Sequence, residues 1–316
     1  MLLGSINARF PAPLYFPGRV CVRGEVVSWD ASLRAGQLRV LILEEKTRTP
    51  TAEVLMGFTL HEARQASQLA AIPTVASSVP ANTKAILVTG ASGGIGAALV
   101  RELAMRYFVV GLINRRSLDD DLKASPNVVE AKADIAEPGW EEKIAAVLGD
   151  RPLYGVIHAA WPGAPHGGLL QCPDDLLERQ IAFGGAHLVR LARLLFSRVG
   201  DEGGRLIALG SIVGSAKPVL SLAAYSLGKA TLESTVRLLA SEMGRKKVTV
   251  NAVCPSFLAV GINKQADERQ QKMEAARVPI GRICTAADVA GAVDYLLSPM
   301  ASFVSGQVLG LFGGQL

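Results

Sequence analysis

One eight-residue turn constrains this chain more than any other stretch of it. Thr89-Gly90-Ala91-Ser92-Gly93-Gly94-Ile95-Gly96 follows the apolar run Ala85–Thr89 and opens a segment whose Ile95, Leu99 and Leu103 recur at helical spacing. Glycines at Gly90, Gly94 and Gly96 permit a tight turn, close packing of helix on strand, and a near approach of backbone to a bound group. The helix that begins there presents unpaired N–H groups and the positive end of its dipole. A buried strand, a glycine turn and an amphipathic helix in that order predict a pyrophosphate seat for a dinucleotide, with Gly90, Ser92, Gly94, Ile95 and Gly96 lining it.

The rest of the chain agrees with a sheet of that kind. Short apolar runs at Phe108–Ile113, Val128–Ala131, Val156–Ala159, Leu206–Leu209 and Val248–Val253 read as buried strands. Segments at Gly94–Met105, Asp174–Ser197, Ala224–Met243 and Ala286–Leu297 read as helices between or after them. Strand and helix alternating over so long a stretch predict an α/β fold, a Rossmann-type doubly wound parallel sheet covered on both faces. Upstream the pattern differs. Val20, Val22 and Val26, the run Leu38–Leu43, and Val54, Met56, Phe58 and Leu60 predict a small antiparallel β unit. Pro73, Pro80 and the small polar residues around them read as a linker. The expected organisation is a β-rich unit over 1–65, a linker over 66–83 and the Rossmann unit over 84–316.

Three further features carry chemistry. Where an acidic residue after the second strand would bind ribose hydroxyls, this chain has Asn114-Arg115-Arg116. Paired guanidiniums suit a 2′-phosphate, so NADPH is expected over NADH. Tyr225 and Lys229 stand four apart in a helical segment, on one face. A tyrosine with an ordinary pKa of about 10 exchanges protons poorly at neutral pH, and a neighbouring ammonium brings it into range. Ser211, at the end of the Leu206–Leu209 strand, offers a hydroxyl to a carbonyl oxygen. The net charge of +5 comes from scattered Lys and Arg, with aromatics at only 5%, so nucleic acid is not an expected partner. Cys21, Cys172, Cys254 and Cys284 lack the spacing of a zinc site or disulfide framework and read as small buried hydrophobes; no metal is expected. No run of about 18 apolar residues escapes Gly, Pro or charge. The N-terminus lacks the apolar core of a signal peptide. No membrane partner is expected, and the cytoplasm is the expected setting.

With these residues in place, the chain from about 84 to 316 resembles the short-chain dehydrogenase/reductase family, close to 3-oxoacyl-carrier-protein reductases and polyketide ketoreductases. The resemblance rests on the Gly90/Gly94/Gly96 turn and on Ser211, Tyr225 and Lys229. It implies hydride transfer to a carbonyl, with Tyr225 as general acid, Ser211 polarising the carbonyl, and Lys229 binding the nicotinamide ribose while lowering the Tyr pKa. It also implies that Asp134-Ile135 lies against the adenine and that Ala159 and Pro255 border the cofactor. A homodimer or homotetramer is implied, built through the long helices.

Several positions depart from the family pattern. Ile157-His158-Ala159-Ala160 stands where an Asn-Asn-Ala-Gly stretch is usual, and His158 reads as a packed, hydrogen-bonded histidine rather than a catalyst. Ala182 stands at the position assigned to a relay Asn, Ser256 replaces a Gly, and Val260 replaces a Thr. Trp161, His166 and Phe257 are expected on the substrate side, the first two in a Gly/Pro-rich loop. Phe257–Met273 reads equally as a lid or a solvated helix. Residues 1 to about 64 weakly resemble a truncated MaoC-type hot-dog dehydratase domain, which tilts the substrate toward acyl thioesters. The leading expectation is reduction of a small-molecule or carrier-bound carbonyl, a 3-oxoacyl or polyketide-like one. A free polycyclic or aromatic ketone, and an NADPH-binding scaffold or sensor without turnover, stand beside it.

Overall fold

The computed structural model describes residues 2–9, 20–30, 35–44, 50–59 and 84–315. The chain divides into two compact units, Met1–Ser77 and Ser78–Leu316.

In the first unit, strands β1 (Leu2–Arg9), β2 (Val20–Asp30), β3 (Ala35–Glu44) and β4 (Pro50–Thr59) form one antiparallel sheet, ordered β1-β4-β3-β2. The expected β unit is present, enlarged by β1, whose polar–apolar alternation is confined to Ser5-Ile6-Asn7-Ala8-Arg9. The register of β2 slips between Val26 and Ser28, and there Val26 and Val27 are both exposed, at 57% and 43%. Among the described residues of this unit there is no helix to set beside the hot-dog resemblance. The expected linker over 66–83 lies outside the described residues.

The second unit alternates strand and helix throughout. It runs β5 (Ala85–Thr89), α1 (Gly94–Leu103), β6 (Phe108–Ile113), α2 (Asp120–Lys123), β7 (Val128–Lys132), α3 (Trp140–Leu148) and β8 (Leu153–His158). It continues with α4 (Asp174–Gly184), α5 (Ala186–Arg198), β9 (Gly204–Leu209), α6 (Ala223–Met243), β10 (Val248–Pro255), α7 (Glu268–Ala275), α8 (Ala286–Leu297) and β11 (Val308–Leu311). The seven strands make one parallel sheet in the order β11-β10-β9-β8-β5-β6-β7. Every residue of β5, β6, β8, β9 and β10 is buried, which is why these strands read as unbroken apolar runs. Leu87 joins a core under α3, α5 and α6 with Trp140, Ile144, Leu191 and Leu232. Ile86 and Val88, on the opposite face, pack under α1 and α8 with Leu99, Leu103, Val289 and Val293. This is the expected doubly wound fold.

The order of the strands fixes where chemistry can happen. From β5 the chain winds outward through β6 and β7, then returns to lay β8 on the other side of β5. At that reversal the chain leaves β5 and β8 toward opposite faces of the sheet, the position at which a doubly wound fold takes its ligand, beyond the register partners Thr89 and His158.

One expected helix is two. Asp174–Ser197 breaks at Gly185, whose φ of −108° and ψ of −91° leave the helical region. The break follows Gly184, where a Cβ would run into the Gly228 carbonyl and lie 2.8 Å from the Leu232 nitrogen of α6. Strand β8 also begins earlier than expected, at Leu153.

Candidate active site

The glycine turn leaves the Thr89 end of β5. Gly90 has a positive φ of 67°, and a Cβ there would lie 2.8 Å from the Ala160 backbone. A Cβ on Gly96 would strike the Gly90 carbonyl, and one on Gly94 would lie 2.6 Å from the Gly261 nitrogen. The turn therefore packs against the segments that follow β8 and β10, at a closeness no larger residue permits. At the start of α1, Gly93 supplies no side-chain cap and the first turn holds no acidic residue, so no side chain competes for its N–H groups. Ser92 and Ile95 flank that helix start, half-exposed. A helix N-terminus of this kind fits a pyrophosphate.

Beyond β6, Asn114, Arg115 and Arg116 are exposed. The Asn114 amide donates to Asp134 at 2.7 Å, and the other Asp134 oxygen accepts from the Ala136 N–H at 2.9 Å. Ile135 is buried, and its carbonyl accepts from Arg190 at 3.0 Å. Asp134 and Ile135 are thus held at the end of β7, one strand over from Asn114.

Ser211, Tyr225 and Lys229 meet at the ends of β9 and α6. Tyr225 is 7% exposed and Lys229 4%. Burial pushes the Tyr225 phenol up to about 12, opposed by its hydrogen bond with Ser211, so the lowering expected from the Lys229 ammonium is overturned by desolvation. The Lys229 ammonium donates to the Leu209 carbonyl at 2.7 Å, and burial brings its pKa down to about 7. Glu233, one turn beyond Lys229, accepts from the backbone N–H and hydroxyl of Ser215. The Ile212 N–H donates to the Pro255 carbonyl at 2.9 Å, bringing Pro255 beside Ser211. The N-terminus of α6 is tied to the loop after β8 by a parallel bridge between Gly167 and Leu222. In that bridge the Gly167 N–H donates to Ser221 at 2.9 Å.

Buried His158 has all its hydrogen bonds within the protein. The Ala160 N–H donates to the Thr89 hydroxyl at 3.1 Å, and that hydroxyl lies 3.0 Å from His158 Nδ1. Nε2 lies 3.1 Å from the Phe183 carbonyl. A carbonyl only accepts, so Nε2 carries the proton and Nδ1 receives the Thr89 hydroxyl. Burial holds the ring neutral, with its pKa down to about 3. His158 is therefore a structural tie between β5, β8 and α4.

Trp161 turns toward the cation. Its ring lies 3.5 Å from the Lys229 ammonium and edge-on to Tyr225 at 5.9 Å. Its indole N–H donates to the Gln180 side chain at 2.7 Å, and Gln180 donates onward to the Gly163 carbonyl at 3.0 Å. The geometry therefore brings Gly90, Ala159, Trp161, Ser211, Tyr225, Lys229 and Pro255 into one neighbourhood. His166 is exposed, one residue before the Gly167 bridge, and Phe257 is half-buried just past β10. Helix α7 buries none of its residues, while Val260 and Gly261 abut Gly94. Of α4, Gln180 and Gly184 are the residues set against α6 at Gly228, next to Lys229. Sequence reasoning missed Thr89 and Gln180. Gln180 shares its helix face with the buried Phe183 and Gly184, and that i, i+3, i+4 spacing was the available signal.

Known proteins share this fold. A family model described as enoyl-(acyl carrier protein) reductase matches residues 90–315. A 3-oxoacyl-[acyl-carrier-protein] reductase of Pseudomonas aeruginosa is 32% identical over 73% of this chain and 96% of its own length. A versicolorin reductase of Emericella nidulans is 30% identical over 73% of this chain and 95% of its own. Among solved structures, a short-chain dehydrogenase/reductase of Serratia marcescens aligns with a TM-score of 0.65 at 26% identity. That alignment covers 74% of this chain and 98% of the other.

Proposed function

The chain belongs to the short-chain dehydrogenase/reductase family, oxidoreductases that use a nicotinamide cofactor, and from that premise we propose that it is an NADPH-dependent ketoreductase. Its substrate in this reading is the carbonyl of a 3-oxoacyl thioester or a polyketide-like compound. The observation that carries the reading is the Ser211–Tyr225–Lys229 constellation, with Tyr225 and Lys229 buried and Ser211 half-buried, beside the strand ends of β5 and β8.

NADPH, when bound, supplies the hydride. Gly90, Ser92, Gly94, Ile95 and Gly96 would hold its pyrophosphate, and Asn114, Arg115 and Arg116 its 2′-phosphate. Asp134 and Ile135 would meet the adenine; Ala159, Pro255, Tyr225 and Lys229 would border the nicotinamide end. The Ser211 hydroxyl donates to the substrate oxygen and polarises the carbonyl. Tyr225, whose phenol is protonated at neutral pH, gives its proton to that oxygen as negative charge develops there. The phenolate left behind is stabilised by the Lys229 ammonium, and Lys229 stays aimed through its bond to the Leu209 carbonyl.

The two named relatives divide the substrate question. One is named for a carrier-bound acyl substrate and the other for versicolorin, so a polycyclic ketone is the second reading. The protein assembles in this reading as a homodimer or homotetramer through α4 and α6. Ile181, Leu227 and Leu238 are exposed there. Thr231 and Thr235, half-buried, donate their hydroxyls back to carbonyls of their own helix.

The test is to follow NADPH absorbance with 3-oxoacyl thioesters and polycyclic aromatic ketones, with NADH as the control. Oxidation with one class assigns the substrate. Tyr225→Phe should keep NADPH binding and lose turnover by about 10²–10⁴-fold. Wild-type rates in that variant would end the catalytic assignment.

A further inference from the structure

We infer that Trp161 is a positioning residue for Lys229: the face of its indole covers the ammonium, keeps it charged and directs it at Tyr225. The inference rests on the role proposed above for Lys229, and it starts from a physical problem that role creates. An ammonium only 4% exposed has lost its water, and few groups around it replace that water. From β9, the Leu209 carbonyl takes one N–H at 2.7 Å. From α6, the Glu233 carboxylate, held by Ser215, favours the ammonium through its charge, and the Tyr225 ring centre lies 5.5 Å away. From β10, Cys254 stays a neutral thiol, its pKa pushed up to about 12 by burial and by Glu233. From β8, His158 is neutral. In direct contact with the ammonium is the Trp161 ring, its centre 3.5 Å away.

Tryptophan is the side chain whose ring attracts a cation best, and the attraction grows when water is excluded. Here the ring is also held in place. Its N–H is bound by Gln180, which is fully buried and bonded in turn to the Gly163 carbonyl. Its edges meet Phe183 at 6.0 Å and Tyr225 at 5.9 Å. A Cβ on Gly228 would come within 3.0 Å of the indole, so glycine on α6 is what lets the ring lie this close. Gln180 is thus the outer support of the same device.

The test reads Lys229 directly. In protein labelled with ¹³C-lysine, the Lys229 ε-carbon signal is identified by its loss in Lys229→Met, then titrated in wild type, Trp161→Leu, Trp161→Phe and Gln180→Met. Removing the ring weakens the charged form, so the Lys229 midpoint in Trp161→Leu should fall by about one pH unit. Trp161→Phe should lie between it and wild type, and Gln180→Met should move the same way by less. If Trp161→Leu does not fold, those two variants carry the test. Activity requires the ammonium, so the alkaline limb of kcat should move to lower pH by the same amount. An unchanged midpoint in folded variants overturns the inference even where ketone reduction is found. A shifted midpoint in a protein that reduces nothing upholds the ring's hold on Lys229 and overturns the proposed reaction.

Discussion

Lys229 shows what a buried cation costs a fold. Its pKa of about 7 lies well below the ordinary 10.5, with burial as the leading cause. Between those two values the unfolded chain binds a proton that the folded chain does not, so stability rises with pH across that window. Near neutral pH the buried ammonium therefore works against folding. Lys229→Met, which fills similar volume without charge, is expected to abolish reduction while raising Tm at pH 7 by a few degrees. The gain should shrink as pH approaches 10. Calorimetric scans at pH 7 and pH 9.5 check both statements, and a lower Tm for the variant at pH 7 would show that the ammonium stabilises the fold. At this scale Ser211, Tyr225 and Lys229 were legible in the sequence because their spacing within a strand end and one helix turn is local. The orientation of Trp161 was not. It lies in a Gly/Pro-rich loop that pointed to the substrate side, and it is turned inward by Gln180, 19 positions away.

Elements were legible to the extent that a single periodicity described them. Strands buried on both faces announced themselves as apolar runs, and α6 and α8 carried one unbroken helical pattern. Helix α3 gave a weaker sign, three large residues at i, i+4 and i+8 (Trp140, Ile144, Leu148) in only nine positions. Edge strand β11 has four residues, none of them fully buried, and no alternation to read. The break between α4 and α5 was invisible because the helical pattern continues through it. What interrupts the helix is the approach of α6, whose backbone at Gly228 occupies the space of a side chain at 184. Gly184→Ala thus tests an element-scale claim. The added methyl must push α4 off α6, at a cost of about 1–3 kcal/mol. Because Gly228 adjoins Lys229, the same shift should lower kcat more than it raises KM for NADPH. Denaturant melts and steady-state kinetics on one preparation measure both, and a neutral effect on stability would mean that the two helices adjust without cost.

Across the whole molecule, parallel strands bring together residues far apart in the chain. Four strands end at the same edge, so Gly90, Ala159, Ser211 and Pro255 converge although more than 160 positions separate the first from the last. None of the residues assigned a chemical role belongs to the Met1–Ser77 unit, whose four described strands form an antiparallel ladder of their own. The chain divides into its two compact units between Ser77 and Ser78. A chain beginning at Ser78 should therefore fold alone, gain Tm on adding NADPH, and keep kcat within about threefold of the full chain, since the seven-stranded core and every group proposed to touch cofactor or substrate remain. Light scattering should give it the same subunit number as the full protein if α4 and α6 form the interface. Retained turnover with an altered subunit number would move the interface to the first unit. Loss of turnover in a folded fragment that still binds NADPH would mean that the antiparallel sheet serves the substrate, as the hot-dog resemblance suggests for acyl thioesters.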